Sequence, residues 1–342
     1  MTPSRDGPDC DRAHFGVRPG PALKRVLITG GAGFLGSRLC LALLGEGAQR
    51  IWCVDDRTTA SEANLSVVQG LSAIEFVEAD ISDGFADPGR FGPLDAVFHL
   101  ASAASPPDYL RMPIATLRAG AQGTAAALAI AEASRARFVL ASTSEVYGDP
   151  LVHPQPETYW GNVNPIGLRS VYDEAKRFAE ALTFAYRRAR SADVGVARIF
   201  NSYGPGMRLD DGRMVPTFCG QALRGEPITV AGSGRQTRSL CYVDDTIAGL
   251  IALAACDVTG PVNIGSPHEL TVLEVAELIR GRSGSVSPIR HIAAAEDDPQ
   301  RRCPDIRRAR ESLGWAPKVG AAEGLDATIA WFRPQIDVTA TV

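Results

Sequence analysis

Short apolar runs alternate with longer segments of helical periodicity through the first 200 residues. The runs at residues 24–29, 50–54, 74–77, 96–98 and 194–200 are short enough and apolar enough to be buried strands. Helical periodicity follows Gly36 as far as Leu44, and it recurs in residues 116–133 and 170–188. Strands that alternate with helices predict an α/β fold, a Rossmann-type doubly wound parallel sheet covered on both faces.

The alternation stops near Ile199, and turn-rich sequence follows it, including Gly204-Pro205-Gly206 and Gly232-Ser233-Gly234. We therefore expect a first domain at residues 24–200, with a return at roughly 240–265. A smaller mixed α/β substrate-binding lobe is predicted for 201–239 and 266–335. Residues 1–23 lack the apolar core of a secretory signal and are expected to form a flexible leader, and 336–342 a tail.

A glycine-rich turn links the first predicted strand to its helix. Gly30, Gly33 and Gly36 allow a tight turn, close approach of a diphosphate and close helix packing, and the amides of Phe34 and Leu35 lie at the helix N-terminus. A plain tight connection is the alternative for such a turn taken alone. Asp55 follows the second strand, about twenty residues on, where a carboxylate binds the adenosine ribose. It repels a 2′-phosphate and so favours NAD over NADP, although nearby Arg57 weakens that preference.

Further cofactor contacts are expected where later strands end, because a doubly wound sheet binds its ligand at the carboxyl ends of its strands. Asp80 has an alternative role as a cap of the next segment. The residues expected at these strand ends are Asp56, Asp80, Ile81, Leu100, Ala101 and Ser102.

Tyr172 and Lys176 are four residues apart on a predicted helix and so share one face. The ammonium is expected to favour ionisation of the phenol, which makes Tyr172 a candidate base that takes a hydroxyl proton while hydride leaves the same carbon. The same spacing also occurs by chance on solvated helices, so it depends on the glycine-rich turn for support.

Composition agrees with an enzyme that acts on small molecules. The net charge of -4 gives no nucleic-acid footprint. The seven cysteines have neither C-x-x-C spacing nor a histidine partner at zinc spacing, so we expect no disulfide framework and no metal. No apolar run is long enough for a membrane span. A reducing cytoplasm is the expected location.

Several segments carry a resemblance to a known family: 140–150 (L-A-S-T-S-E-V-Y-G-D-P), 153–157, 159–167 and 295–302 (A-E-D-D-P-Q-R-R). With the glycine-rich turn and Y-x-x-x-K they resemble the extended short-chain dehydrogenase/reductase family, whose members modify nucleotide sugars with tightly held NAD. Within it they are similar to the members that decarboxylate UDP-glucuronate. The resemblance implies catalytic roles for Glu145, Tyr172, Lys176 and Arg302, supported by Thr143 and Ser144.

The implied reaction oxidises the C4 hydroxyl, loses CO2 from C5 and returns the hydride. We expect Glu145 to order a water or the sugar for protonation at C5, and Arg302 to anchor a carboxylate or phosphate. The structural alternatives are a salt-bridged carboxylate at a strand end and a solvated basic run. A 4,6-dehydratase needs an acid where Ser144 stands, and a 4-epimerase needs neither Glu145 nor Arg302. A catalytically silent NAD sensor would not need Tyr172 or Lys176.

A nucleotide-sugar pocket also needs a diphosphate clamp and contacts to the sugar. Arg213 and Arg238 are candidates for the diphosphate, Asn201 and Tyr203 for the sugar and phosphate, and Tyr109 for closing over the sugar. Asn201 and Tyr203 have a structural alternative in shaping the turn before Gly204.

Three positions depart from the family pattern: Ala231 replaces an aromatic, Gly206 an arginine, and 56–60 differ from the usual segment. These departures leave the nucleotide base open. By resemblance the helices at 114–133 and 170–188 pair two copies in a homodimer.

Overall fold

The computed structural model describes residues 22–294 and 299–339. Seven parallel strands form the central sheet in the order β11-β6-β5-β4-β1-β2-β3. Their bounds are β1 Arg25–Thr29, β2 Arg50–Asp55, β3 Ile74–Glu78, β4 Ala96–His99, β5 Arg137–Thr143, β6 Val194–Ile199 and β11 Pro261–Ile264. The strand order reverses between β1 and β4, which creates a crevice at the carboxyl ends of these strands. The predicted doubly wound α/β fold is confirmed.

Eleven α-helices surround this sheet and the smaller lobe within the described ranges. Their bounds are α1 Phe34–Gly45, α2 Glu62–Gln69, α3 Pro106–Arg111, α4 Pro113–Arg118, α5 Thr124–Ser134, α6 Ser170–Arg190, α7 Met214–Arg224, α8 Val243–Ala254, α9 Val272–Ser283, α10 Arg307–Leu313 and α11 Ala321–Thr339. Short 3₁₀ turns span Ile81–Asp83, Pro88–Phe91 and Ser144–Tyr147.

The smaller lobe contains three two-stranded sheets and its own apolar core. The strands are β7 Ser202–Tyr203, β8 Ile228–Ala231, β9 Thr237–Ser239, β10 Cys241–Tyr242, β12 Glu269–Thr271 and β13 Ile289–Ile292, paired as β10-β7, β12-β9 and β13-β8. Phe218 of α7, Ile279 of α9 and Phe332 of α11 are buried together in this core. The lobe closes one side of the crevice.

One predicted helix, residues 114–133, is interrupted. α4 ends at Arg118 and a π-helical turn spans Ala119–Gly123 before α5 begins. Gly120 allows a close approach to α6, because a Cβ at this position would lie 2.6 Å from Cβ of Ala175. Glycines in this stretch also weaken the regular helix. The single helix predicted there is therefore wrong.

The segment around α10 does not pack with the lobe to which the sequence assigned it. Ala309 and Leu313 are buried in the same core as Leu250 of α8. Trp315 donates a hydrogen bond from Nε1 to the Asp245 carbonyl oxygen at 3.0 Å. The range 266–335 thus contains a stretch that packs beside the central sheet, because the apolar face of α10 is buried there. The predicted leader lies outside the described residues up to position 21, as does the tail from position 340.

Candidate active site

A cavity of about 830 Å³ lies between the sheet and the smaller lobe, at the carboxyl ends of the strands. It extends from the glycine-rich turn to Arg302, which is 3 % exposed. Every residue that the sequence singled out for cofactor, substrate or catalysis lines it. Segments separated by more than 250 residues therefore meet at one site.

The glycine-rich turn is built for an unhindered approach to the N-terminus of α1. A Cβ at Gly36 would lie 2.1 Å from the Gly30 carbonyl oxygen, so only glycine fits between turn and helix. Gly33 is the N-cap residue of α1 and supplies no side-chain hydrogen bond. The first turn of α1 contains no acidic residue. The amides there are left for an anion such as a diphosphate.

Asp55 is buried beside this turn. Its Oδ2 accepts a hydrogen bond from the amide of Ala32 at 2.9 Å, and its Oδ1 accepts one from the amide of Arg57 at 2.8 Å. Burial raises the pKa of Asp55, while these two amides oppose the rise. The Arg57 guanidinium lies 3.5 Å from Glu62 and 3.7 Å from Glu78, so these acidic groups hold it. Asp55 is thus fixed at the place expected for a ribose partner.

Two other cofactor candidates differ in whether a protein group already occupies their polar atoms. Asp80 caps the 3₁₀ turn at Ile81–Asp83, since its Oδ1 accepts a hydrogen bond from the Ser82 amide at 2.7 Å. This is the capping role that the sequence analysis gave as the alternative to a cofactor contact. Ser102 Oγ is buried without a hydrogen-bond partner among the described residues. A buried hydroxyl without a partner in a ligand cavity fits a bound cofactor.

Tyr172 and Lys176 lie on α6 with their side chains at the cavity. Lys176 donates to the Ala141 carbonyl oxygen at 2.9 Å, and burial lowers its pKa to about 8. Burial raises the pKa of Tyr172, which a hydrogen bond to Thr143 and the charge of Arg213 oppose. The expectation that Lys176 lowers this phenol pKa is not what the structure shows, because Nζ lies 5.9 Å from the ring centroid and bonds to the backbone.

Glu145 is held between two guanidinium groups. Arg302 contacts its Oε1 at 2.5 Å and its Oε2 at 2.8 Å, and Arg169 contacts Oε2 at 2.7 Å. Burial opposes ionisation, but the charges of Arg302 and Arg169 outweigh it and lower the pKa of Glu145 to about 2. Both terminal nitrogens of Arg302 bind Glu145, while its Nε is buried without a hydrogen-bond partner among the described residues, so the predicted anchoring of a carboxylate or phosphate by Arg302 stays a prediction.

Arg169 is the site residue that the sequence analysis missed. It lies just before α6 and three residues before Tyr172, a spacing that places both at one end of the helix. That i, i+3 spacing was the available signal. Arg169, Glu145 and Arg302 form a buried ionic cluster, to which we refer below as the Arg169–Glu145–Arg302 cluster.

Tyr109 covers Tyr172 rather than leaving it open on both faces. Their rings are stacked with centroids 5.6 Å apart and an interplanar angle of 8°. Burial raises the pKa of Tyr109 to about 12, so it stays a neutral phenol. The prediction that Tyr109 closes over the sugar stays a prediction, since its observed contact is with the candidate base.

The substrate candidates from the smaller lobe differ in what their polar atoms do. Arg213 pairs with Asp211 at 2.5 Å and lies near the Phe34 ring. Arg238 donates from Nη1 to the carbonyl oxygen of Pro299 at 2.8 Å. Asn201 Nδ2 is buried without a hydrogen-bond partner among the described residues, which fits a donor for a bound ligand.

The structure does not support Tyr203 as a hydrogen-bonding contact to the sugar and phosphate. Its hydroxyl donates to the Ala321 carbonyl oxygen at 3.1 Å, and its ring packs edge-on against Tyr242 in the core of the lobe. The apolar ring is buried by this packing, so its hydroxyl is not offered to the substrate.

The two departures in this lobe also border the cavity. Gly206 has φ +99°, a backbone conformation that favours glycine, and its carbonyl oxygen accepts from Asn64 Nδ2 at 2.8 Å. Ala231 lies at the end of β8 and leaves the wall of the cavity without an aromatic ring there.

One group of potential metal ligands occurs in the described ranges, outside the cavity lining. It consists of His153, Glu269 and Cys303, whose ligand atoms lie within 4.8 Å of one another. His153 Nε2 is 2.9 Å from Glu269, and the Cys303 thiol donates to the Pro267 carbonyl oxygen. These atoms are satisfied by protein partners. No helix among the described residues has the length and apolarity needed to cross a membrane.

The fold and the cavity together define an enzyme that uses a dinucleotide. Residues 26–265 match the model of the NAD dependent epimerase/dehydratase family, and the chain belongs to that family. The prediction of NAD as cofactor is confirmed at this level, as is membership of the extended short-chain dehydrogenases. 

Curated relatives narrow the comparison. UDP-glucuronic acid decarboxylase 1 of Xenopus tropicalis is 47 % identical over 92 % of this chain and 73 % of its own length. UDP-glucuronic acid decarboxylase 3 of Arabidopsis thaliana is 46 % identical over 92 % of this chain and 90 % of its own. The resemblance found from the motifs is therefore confirmed.

Solved structures share the fold. A UDP-glucose 4-epimerase from Thermotoga maritima superposes with a TM-score of 0.83 at 28 % identity, over 91 % of this chain and 99 % of its own. MoeE5, solved in complex with UDP-glucuronic acid and NAD, has a TM-score of 0.77 at 28 % identity, over 91 % and 99 %.

Proposed function

We propose that this enzyme decarboxylates UDP-glucuronate to UDP-xylose and CO2 by oxidation at C4, loss of the carboxylate from C5 and reduction of the resulting ketone. The Arg169–Glu145–Arg302 cluster beside Tyr172 is the observation that carries the proposal. It brings net positive charge to the wall of the cavity, where a sugar acid needs a partner for its carboxylate. Relatives named for this reaction support it.

Tyr172 is the group that takes the C4 hydroxyl proton. Its hydrogen bond to Thr143 and the positive charge of Arg213 favour the ionised phenol against the effect of burial. When bound, NAD supplies the acceptor and later the donor of the C4 hydride, so that no external reductant is consumed. Lys176, anchored on Ala141, lines the cavity next to Tyr172 and would hold the nicotinamide ribose.

Thr143 and Ser144 support the second step. Oxidation at C4 turns the sugar acid into a β-keto acid, and CO2 loss from C5 places negative charge on the C4 oxygen. Thr143, which hydrogen-bonds to Tyr172, and the protonated Tyr172 are donors for that oxygen. Ser144 is 2 % exposed and stands beside them at the start of the 3₁₀ turn. We assign these two residues to stabilising the enolate.

Glu145 and Arg302 act as one unit in this proposal. Glu145 stays ionised at neutral pH because two arginines hold it, so it is an acceptor that orients the sugar or a water for proton delivery to C5. Arg302 positions Glu145 and adds positive charge, and Arg169 does the same from the other side. The carboxylate of the substrate is attracted by the excess charge rather than by a free guanidinium fork.

Two reactions of the same family are the alternatives. A 4,6-dehydratase must protonate a leaving hydroxyl, and Ser144, which stands where the acid is needed, is an unactivated alcohol. A 4-epimerase makes no use of an arginine cluster. A silent NAD sensor would leave the buried Tyr172 and Lys176 without a purpose.

Further proposals concern organisation. We assign NAD binding to residues 24–200 and the nucleotide sugar mainly to the smaller lobe, with Arg213, Arg238 and Asn201 as its contacts. We also propose a homodimer through the outer face of α4 and α6, which pack together and expose Ile114 (69 %) and Phe178 (51 %). Six free cysteines in the described ranges support a reducing cytoplasm.

A panel of nucleotide sugars tests the reaction. The NAD-loaded protein is incubated with UDP-glucuronate, UDP-glucose and dTDP-glucose, and the products are identified by mass spectrometry. We expect a UDP-pentose from UDP-glucuronate and no product from the others. Loss of water from either hexose would favour the dehydratase.

Sedimentation of Ile114→Glu against the unaltered protein tests the dimer, which the charge should dissociate.

A further inference from the structure

Asp173 is a second buried carboxyl group behind the site. It follows Tyr172 in the first turn of α6, is 6 % exposed, and does not line the cavity. Its Oδ1 is buried and accepts no hydrogen bond from the residues that the structure describes. A buried carboxylate oxygen without a partner is costly, so this position needs an explanation.

The neighbours of Asp173 are the residues of the proposed site. Its charge interacts with charged or titratable groups on every surrounding element: Arg169, Tyr172 and Glu174 at the same helix, Glu145 after β5, Tyr109 on α3, and Arg302. Burial and the negative charge of Glu145 raise the pKa of Asp173 to about 7, while Arg169 and Arg302 oppose the rise. The group therefore changes its charge near neutral pH.

The charge of Asp173 decides whether the whole cluster carries a net positive charge. Two guanidinium groups and the ionised Glu145 sum to +1 when Asp173 carries a proton. An ionised Asp173 brings that sum to zero. The same negative charge raises the pKa of Tyr172, so ionisation of Asp173 also opposes formation of the phenolate base.

We propose that Asp173 is a positioning residue that sets the charge of the Arg169–Glu145–Arg302 cluster: protonated, it leaves a net positive charge that holds the carboxylate of a sugar acid, and ionised, it cancels that charge. This inference rests on the proposed function, since it concerns the same substrate class. Asp173 acts through the cluster and does not touch the substrate. It makes the preference for an acidic over a neutral sugar depend on pH.

The test is the ratio of the dissociation constants for UDP-glucuronate and UDP-glucose. It is measured by calorimetry between pH 6 and 8.5 on the NAD-loaded full chain, in a Tyr172→Phe background where substrate is not consumed. We expect the ratio to rise about three- to tenfold with pH, the range for one charge removed near a carboxylate. Asp173→Asn, which mimics the protonated state, should keep the ratio low and constant.

Glu174→Gln is the matched control. It removes the same charge one position along α6, from a half-exposed side chain that pairs with Arg177 at 3.4 Å. This variant should keep the dependence on pH. An Asp173→Asn protein that also keeps it would overturn the inference, and so would a flat ratio in the unaltered cluster.

Two further readouts separate this role from a merely structural one. An infrared carboxyl band that titrates near pH 7 should be absent from Asp173→Asn, and in the active enzyme the pH effect should appear in KM for UDP-glucuronate. If Asp173→Asn fails to fold, Lys176→Met in the Tyr172→Phe background decides, because Lys176 lines the cavity and its pKa of about 8 also lies in this range: a ratio that keeps its dependence on pH supports the role of Asp173, and a constant ratio overturns it. Binding that follows this pattern without CO2 release would reject the decarboxylase and leave the role of Asp173 intact.

Discussion

The carboxylate of Glu145 accepts hydrogen bonds from both terminal nitrogens of Arg302, at 2.5 and 2.8 Å. Arg302 lies 157 positions later in the chain. This bidentate pair joins the end of a central strand to the segment that returns from the smaller lobe. It therefore ties the closing of the cavity to the presence of an ionised acid beside Tyr172. The stability and the chemistry of the site depend on the same contact.

Replacing Glu145 by glutamine should destabilise the fold. The change leaves two largely buried guanidinium groups without their anion, which costs roughly 3 kcal/mol in the free energy of unfolding. Urea denaturation measures it. Asp326→Asn is the control, because it removes a similar bidentate pair, with Arg282, at the surface. That exposed pair should leave the unfolding midpoint nearly unchanged, and equal losses in both variants would contradict the buried cluster.

The same contact makes stability depend on pH in acid. The pKa of Glu145 is lowered from 4.5 to about 2, so its contribution is complete above pH 4.5 and is lost as pH falls toward 2. Between pH 5 and 3 the wild type should lose about 1–2 kcal/mol that Glu145→Gln does not lose. The two unfolding free energies should converge in acid. Unfolding free energies that run parallel with pH in the two proteins would show that the arginines do not lower the pKa of Glu145.

Tyr172→Phe should remove oxidation and keep the fold. Without the phenol no group takes the C4 proton, and the rate should fall by roughly 10²–10⁴. Single-turnover assays and calorimetric binding of UDP-glucuronate separate the two effects. Tyr186→Phe, on the same helix but against Arg190, is the control and should keep its rate.

Glu145→Ala is expected to oxidise the substrate and then stall or release a 4-keto sugar. Equal activity in Tyr172→Phe and Glu145→Ala would refute the assigned roles.

Gly36→Ala should weaken both folding and NAD binding. Its Cβ would lie 2.1 Å from the Gly30 carbonyl oxygen, which forces helix and turn apart and costs roughly 2–3 kcal/mol. Gly45→Ala at the other end of α1 meets nothing within 4 Å and should stabilise by about 0.5–1 kcal/mol. Thermal unfolding and NAD titration compare them. A well-folded Gly36→Ala that binds NAD normally would disprove the tight turn.

Asp55→Asn should shift the choice of dinucleotide. The carboxylate that repels a 2′-phosphate is lost, together with a charged acceptor for the ribose, so NAD affinity should fall about tenfold while NADP affinity does not. Fluorescence titration with both dinucleotides gives the ratio. Glu75→Gln is the control: it removes a carboxylate that pairs with Arg50 outside the cavity lining, so this variant should retain the preference for NAD. An unchanged ratio in Asp55→Asn would place the ribose elsewhere.

Local patterns were enough to predict the sheet, the glycine-rich turn and the candidate base. The strands are continuous apolar runs, and Tyr172 and Lys176 share a helix face whatever surrounds them. Contacts between distant segments were not predictable in this way. The Glu145–Arg302 pair and the hydroxyl of Tyr203 on Ala321 depend on how the lobe docks, which no local spacing encodes. The π-helical turn at Gly120 reflects its contact with α6 in the same way.

Release of CO2 from UDP-glucuronate tests the central claim most directly. The NAD-loaded enzyme is given substrate labelled in the carboxylate carbon, and trapped CO2 is compared with UDP-pentose formed while the absorbance of NADH is followed. We predict one CO2 for each UDP-pentose, with no net NADH at completion. Label that stays on the nucleotide sugar, whether as an epimer of UDP-glucuronate or as unchanged substrate, would contradict the assignment.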